Sequence, residues 1–288
     1  MKIKHLAPER KNSTGLDKFS VLRLETDPVH VHAQVFFIVS DQSAAGAPSV
    51  WVEMHQEAFF NEYNIEGVSA EQNEIYLEFD PDKVAKNLSI VKTGQSRSVK
   101  IRLTKQGNVP NLTFDVELVA GRVVTHDIPV SVLPRKVWSD YQEPALPSFD
   151  ISVCLPEVKR LRHLLDRYRN LGAAVTVTAS REPPAVSGSG LGRLAFRVTS
   201  DEGVFTTSYP DLQLPVYSSG GPGPGPGTGD GAAASVRVDI KRLHQFLAGE
   251  QLQPKRAIAN IVDQQALHMF FLHEELLVQY FLPATNRM

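Results

Sequence analysis

The stretch PEVKRLRHLLDRYRNLG, residues 156–172, predicts an amphipathic helix with an apolar face and a basic face. Its apolar residues recur at helical spacing and fall on one side, which carries Val158, Leu161, Leu165 and Tyr168. At about 100° per residue, the opposite side carries Lys159, His163 and Arg167, flanked by Arg160, Arg162 and Arg169. Gly172 can take a left-handed backbone at little cost, so we expect it to follow the last helical turn.

The basic face needs an explanation because the whole chain has a net charge of −2. One interpretation is a solvated helix surface that simply covers a core. The other is a face that follows a phosphate backbone. A chain without a global positive charge has no general attraction to nucleic acid, so the second interpretation requires a segregated basic patch.

Composition indicates a globular protein that can build a sizeable core. The chain has 288 residues, 42% hydrophobic and 22% charged, which suits one large or two ordinary domains. Its one cysteine, Cys154, excludes an internal disulfide, and apolar neighbours predict a buried strand position for it. We find no signal-peptide pattern and no apolar stretch of about 18 residues, so we expect an intracellular protein that does not cross a membrane.

The order of segments predicts two domains and a connector. Residues 1–133 form the first domain, 134–148 a polar connector with several prolines, and 149–288 the second domain. Residues 218–234 are rich in Gly, Pro and Ala and predict a disordered surface loop. Alternating apolar residues predict strands at, among others, 74–79, 99–103, 112–118, 123–133, 204–208 and 236–239.

Two further helices have the same two-faced character. The segment Asp82–Thr93 has an apolar stripe, with Asp80 as its N-cap and Lys83, Lys86 and Lys92 on the other side or its edges. In the segment Ile240–Gly249, Leu243, Phe246 and Leu247 point inward and Lys241 points outward.

The two halves of the chain repeat one another. Residues 74–118 and residues 236–282 both run strand, helix, strand, strand, which indicates one domain used twice. We therefore predict an α+β fold of two similar domains, each a curved antiparallel sheet with helices on its inner face. Placing the helices of both halves side by side would join their basic faces into one concave surface suited to a nucleic-acid backbone.

Several long runs resemble one known family. They are FFNEYNIEGVSAEQNEIYLEF (59–79), RVVTHDIPVSVLPRKVW (122–138), QFLAGEQLQP with NIV (within 245–262) and LHEELLVQYFLPA (272–284). In these runs the chain is similar to sliding clamps, and more closely to the Hus-one subunits of the nine-one-one DNA-damage checkpoint clamp. The resemblance covers most of residues 50–284.

The resemblance implies a DNA-clamp fold and a subunit of a heterotrimeric ring with Rad-nine-type and Rad-one-type subunits. Such a ring encircles duplex DNA, is loaded by a clamp-loader ATPase at damage sites and recruits checkpoint signalling and repair factors in the nucleus. Carried onto this chain, it implies a partner-docking connector that includes Arg135, Trp138 and Tyr141. It also implies a DNA-facing set on the inner-wall helices: Lys83, Lys86, Lys92, Lys159, Arg160, Arg162, His163, Arg167 and Lys241.

The N-terminus departs from the family pattern. The family has a helix before the strand that matches Val21–Leu24, whereas about fifteen polar residues stand there in this chain. We therefore expect the first helix of the first domain to be missing or altered.

Other classes of function have weaker support in the sequence. His126-Asp127 has no Ser or Cys nucleophile nearby, and His30-x-His32 has no cysteine or acidic cluster to complete a metal site, so we predict no enzyme, no cofactor and no metal. The alternative from a different class is a two-domain β-rich scaffold that binds only proteins. The two differ in the placement of Lys86, Lys159, Arg167 and Lys241, which a DNA clamp would bring to one surface.

Overall fold

The computed structural model describes residues 20–26, 33–40, 49–67, 73–89, 96–143, 148–181, 191–215 and 233–285. The described residues form two compact units: those within 20–40 and 50–143 form the first, and Ser49 together with those within 148–285 forms the second.

The first unit is built from antiparallel strands. They are β1 (Ser20–Thr26), β2 (Ala33–Ser40), β3 (Ser49–His55), β4 (Glu74–Phe79), β5 (Ser96–Gln106), β6 (Val109–Leu118), β7 (Val123–Pro129) and β8 (Ser131–Val132). Their order is β8-β4-β1-β2-β3 in one sheet and β5-β6-β7 in another. Gly107 opens the tight β5–β6 turn with φ 59°, a left-handed backbone that glycine adopts readily.

Two helices accompany these strands. The short α1 spans Gln56–Phe59, and α2 spans Pro81–Leu88 directly after β4. The N-terminus of α2 has the predicted cap, because the backbone N–H of Asp82 donates to Oδ1 of Asp80 over 2.9 Å. Pro81 occupies the first helical turn, where its missing N–H costs nothing. The predicted end at Thr93 lies outside the described residues, as does the predicted change at residues 1–19.

The second unit repeats one order of elements twice. The first half runs β9 (Ile151–Cys154), α3 (Val158–Tyr168), β10 (Ala174–Arg181), β11 (Leu191–Ser200) and β12 (Gly203–Gln213). The second half runs β13 (Ala233–Asp239), α4 (Ile240–Phe246), a 3-10 turn (Leu247–Leu252), β14 (Arg256–Val262), β15 (Ala266–Leu272) and β16 (Leu276–Pro283). Each half thus contributes one helix between its first and second strands.

The two halves exchange their first strands. The sheet orders are β12-β11-β10-β13 and β16-β15-β14-β9, so β13 pairs with the first half and β9 with the second. The register places Val236 opposite Val177 and Val153 opposite Ala259. The antiparallel strands of this unit are therefore divided between two sheets, where the sequence pattern predicted one curved sheet per domain.

Both helices of this unit cover one core. A small void is lined by Leu161 of α3, by Leu243 of α4 and its following turn, and by strands of both sheets, among them Val177 and Met269. The apolar stripe of each helix therefore packs on the same core, and their exposed residues belong to one helical layer.

The repeat predicted at 74–118 and 236–282 is present as β4-α2-β5-β6 and β13-α4-β14-β15. Several strands are longer than their alternation predicted, because polar residues at the ends still pair. The segment 123–133 contains two strands, β7 and β8, where one extended run was predicted. Residues 218–232 of the predicted loop lie outside the described residues, and Ala233 and Ala234 already belong to β13.

Two expectations about single residues were wrong. Gly172 does not have a left-handed backbone; an added Cβ there would lie 3.2 Å from Cγ1 of Val198 on β11, so close packing is the reason for glycine. Cys154 is half-buried rather than fully buried, and it packs beside Ile258 and Phe270.

Candidate nucleic-acid interface

Helix α3 separates its apolar and basic residues as the sequence predicted, over a shorter range of 158–168. The buried side contains the four predicted residues and also Leu164, which is 6% exposed. The opposite side exposes Lys159, His163 and Arg167 to solvent. Burial of the apolar stripe therefore fixes the direction in which the cations point.

Side-chain contacts occur at both ends of α3. The hydroxyl of Tyr168 hydrogen-bonds to Oγ1 of Thr207 on β12 over 2.7 Å. At the start of the helix, Nε of Arg160 donates to Oε2 of Glu157 over 2.7 Å. Because this carboxylate neutralises Arg160, the guanidinium of Arg160 is less available to an anion than Lys159 beside it.

Helix α4 lies against α3 and adds Lys241 to the same layer. Its N-terminus is capped by Asp239, whose Oδ1 accepts from the backbone N–H of Arg242 over 2.9 Å. Lys241 is exposed, whereas Leu243 and Phe246 are buried. The two helices meet where Nε2 of His244 lies 2.9 Å from Oδ1 of Asp166.

The lysines of α2 belong to the first unit. Lys83 is exposed and its ammonium lies 3.9 Å from Oδ2 of Asp80, a loose ion pair. Lys86 is exposed in the last turn of the helix. Lys92, the third lysine of this predicted set, lies outside the described residues.

The predicted DNA-facing cations differ in whether they form ion pairs within the chain. Within the described part of the chain, the side chains of Lys86, Lys159, Arg167 and Lys241 take part in no ion pair. Arg162 is half-buried and has interactions of its own. The second unit therefore brings Lys159, Arg167 and Lys241 together as unpaired cations on one helical layer, and α2 presents Lys86 in the first unit.

The connector is partly folded onto the first unit. Arg135–Tyr141 form a 3-10 helix in which Trp138 is half-buried and stacks on Tyr76 with 4.6 Å between ring centroids. Nε1 of Trp138 donates to the carbonyl of Leu133 over 3.0 Å, and Nε2 of Gln142 donates to the hydroxyl of Tyr76 over 3.1 Å. Arg135 is exposed and Tyr141 half-buried. The aromatic ring of Trp138 thus packs on the first unit, and the docking of partners by this connector stays a prediction.

The histidine and aspartate singled out in the sequence do not form a catalytic pair. His126 and Asp127 are neighbours on β7 and so face opposite sides of the sheet. Asp127 accepts a hydrogen bond from Oγ1 of Thr113, and His126 stands opposite Phe114. Among the described residues no group of three His, Cys, Asp or Glu side chains could hold a metal ion.

No helix in the described ranges is long and apolar enough to cross a membrane.

The contacts of Asp166 were not anticipated from the sequence. Asp166 pairs with Arg169 in its own helix at 3.7 Å and contacts His244 of α4, which lies far away along the chain. The spacing of Asp166 and Arg169 could have suggested the first contact. The second depends on how the two halves of the unit pack.

Comparisons with known proteins agree with the clamp fold predicted from the sequence. A family model described as Hus1-like protein matches residues 11–286. The chain belongs to the Hus1-like family. Human Checkpoint protein HUS1 is 38% identical over 276 residues, which cover 94% of this Hus1-like chain and 91% of the human protein. Checkpoint protein Hus1-like of Drosophila melanogaster is 25% identical, with 94% and 91% covered.

A solved structure confirms the fold class of the Hus1-like chain. Proliferating Cellular Nuclear Antigen from Entamoeba histolytica matches with a TM-score of 0.61 at 10% sequence identity, covering 94% of this chain and 91% of that one. The predicted clamp fold is therefore correct, and the chain is a checkpoint-clamp protein by family. At this identity the likeness extends to the fold alone.

Proposed function

We propose that this chain is the Hus1-type subunit of a three-subunit checkpoint ring that encircles duplex DNA and recruits signalling and repair factors. The observation that carries the proposal is the set of unpaired cations on α3 and α4, on a chain whose net charge is −2. Within a protein of the clamp family, such a face can screen phosphate repulsion without reading bases. Sliding along DNA needs this kind of contact, since each phosphate is equivalent to the next.

An open sheet edge supports assembly with other subunits. In the described part of the chain, β12 pairs on one side with β11 and has no strand on the other. Val204 and Phe205 on this strand are 52% and 37% exposed, which is unusual for large apolar side chains on an edge. Pairing with a neighbouring subunit would cover both the open edge and these side chains.

The remaining parts of the proposal follow the family. The neighbours in the ring would be Rad-nine-type and Rad-one-type subunits, a clamp-loader ATPase would open the ring, and the complex would act in the nucleus. The chain would have no catalytic role of its own and would need no cofactor. Its DNA-facing set would be Lys83, Lys86, Lys92, Lys159, Arg160, Arg162, His163, Arg167 and Lys241. Its connector would dock partners through Arg135, Trp138 and Tyr141.

Co-expression with the two proposed partners tests assembly. We expect one species of one-to-one-to-one composition in size-exclusion chromatography with light scattering. A chain that elutes as a monomer beside both partners, or as a self-sufficient homotrimer, would contradict the ring.

Phe205→Glu sharpens the assembly test. A carboxylate at the β12 edge should cost this chain one of its two neighbours and leave the other bound, because only one interface uses this edge. Val109→Glu is the matched control, since Val109 is 50% exposed on β6, the middle strand of its sheet, away from β12. Equal loss of partners in both variants would remove β12 as an interface.

Retention on DNA tests the ring's action. The assembled complex should remain on a nicked circular plasmid after loading and leave it once the plasmid is cut. Equal retention on circular and linear DNA would indicate ordinary surface binding and favour a protein scaffold with incidental DNA contact.

A further inference from the structure

Asp166 stands in the middle of the basic face of α3. Its side chain is 45% exposed. Arg162 lies one turn before it, Arg167 follows it directly, and NH2 of Arg169 lies 3.7 Å from its Oδ1. Glu157 is the other acid of this segment, and it lies at the helix start where it pairs with Arg160. Asp166 is therefore the acid nearest the centre of the cations.

Asp166 also lies beside a residue of α4. Its Oδ1 lies 2.9 Å from Nε2 of His244, whose side chain is 13% exposed. Burial is the largest influence on the pKa of His244 and lowers it, Asp166 opposes this shift, and Arg169 and Arg162 add to it. The imidazole of His244 thus lies where α3 and α4 meet, close enough to Asp166, Arg169 and Arg162 for their charges to influence its pKa.

We propose that Asp166 is a built-in counter-charge that lowers the number of phosphates the α3–α4 layer engages and so loosens the hold of the protein on DNA. The inference rests on the proposed function, because it concerns the same basic face. Asp166 pairs with Arg169 and places a negative charge next to Arg167, and its half-exposed side chain leaves that charge at the surface that phosphates would approach.

The physical consequence is a weaker and less salt-dependent interaction than the number of cations would give. Each phosphate neutralised by a cation releases counterions and steepens the dependence of log K on log salt by about 0.9. Removing the carboxylate of Asp166 should free Arg169 for one further phosphate. At about 0.15 M salt one such contact corresponds to roughly five-fold tighter binding. A lower affinity favours sliding, because each phosphate contact must break at every step along the DNA.

Asp166→Asn tests this directly, because asparagine keeps the size of the side chain and removes its charge. The full chain, assembled with its co-expressed partner subunits, is titrated onto a fluorescein-labelled duplex at several salt concentrations, with anisotropy as the readout. We expect about five-fold tighter binding and a salt slope steeper by about 0.9. Asp166→Glu should restore the original affinity and slope.

Glu275→Gln is the matched control. Glu275 is an exposed acid at the β15–β16 turn of the same unit, so its loss changes the net charge by the same amount away from α3 and α4. If both variants bound DNA more tightly by the same factor, the effect would come from net charge alone, and the proposed role of Asp166 would be wrong.

The remaining outcomes separate this inference from the proposed function. Salt-dependent binding by the original protein with no change in Asp166→Asn would refute the counter-charge and leave the DNA clamp intact. No salt-dependent binding by either protein would refute both. Weaker binding by Asp166→Asn together with a lower melting temperature would show a purely structural role and also overturn the inference.

Discussion

Replacing both Lys159 and Arg167 by alanine removes two unpaired cations from the exposed side of α3. Both side chains lie opposite the buried stripe and have no ion pair in the described part of the chain. Their loss should therefore change the free energy of unfolding by less than about 0.5 kcal/mol, as is usual for surface positions. Any large change in DNA binding would then belong to the interface and not to folding.

The expected size of that change follows from the number of charges. Two lost phosphate contacts lower the slope of log K against log salt by about 1.8. At about 0.15 M salt this difference corresponds to roughly 30-fold weaker binding, provided that the salt-independent part of the affinity is unchanged. The assay is anisotropy of a labelled duplex with the assembled complex, measured from low to moderate salt, with a melting curve for each protein.

The control removes the same charge from another surface. Arg197 on β11 and Arg237 on β13 are exposed and flank Thr176 of β10, on the sheet face opposite the buried residues that contact the helices. Their joint replacement by alanine should leave both affinity and slope close to those of the original protein. An unchanged slope in the α3 variant, or equal losses in the two double variants, would refute the assignment of this helix to the phosphate backbone.

Three further predictions concern stability. The pKa of His268, which is buried in β15, is lowered from 6.5 to about 4 mainly by burial, so the unfolded chain takes up the proton at a higher pH than the folded chain. The free energy of unfolding should therefore hold above pH 6.5 and fall by about 3 kcal/mol as the pH drops from 6.5 to 4. Urea titrations at several pH values test this, and His268→Gln should give a flatter profile. Trp138→Ala removes the stack on Tyr76 and should cost about 2 kcal/mol in the unfolding free energy; an unchanged melting temperature would contradict the packed connector. Gly172→Ala places a methyl group 3.2 Å from Cγ1 of the buried Val198, a tight contact in a packed core, so we expect a loss of about 1 kcal/mol, and a stabilised variant would show that the strand yields.

The helix faces could be predicted from the sequence because they depend on local periodicity. The alternation of buried and exposed residues in α3 follows from a spacing that the chain itself displays, and the cap at Asp80 depends on a neighbour two residues away. The repeated order of strands and helices could be read for the same reason. These features need no knowledge of what packs on them.

Contacts between distant parts of the chain escaped prediction. Trp138 belongs to a connector that the sequence shows as a polar segment with several prolines, and its stacking partner Tyr76 lies on β4, four strands before β8. The close approach at Gly172 comes from β11, and the counter-charge at Asp166 meets α4. Each depends on the packing of separate segments, which no local pattern records.

The exchanged first strands of the second unit have a consequence for a divided chain. A cut between β12 and β13 would give two fragments, each of which lacks the strand that closes one of its sheets and carries the strand that closes a sheet of the other. Alone, each fragment would have an open sheet edge prone to aggregation. Mixed, the two should complement each other and rebuild the unit without a peptide bond between them, so that this unit could serve as a split reporter whose signal depends on reassembly.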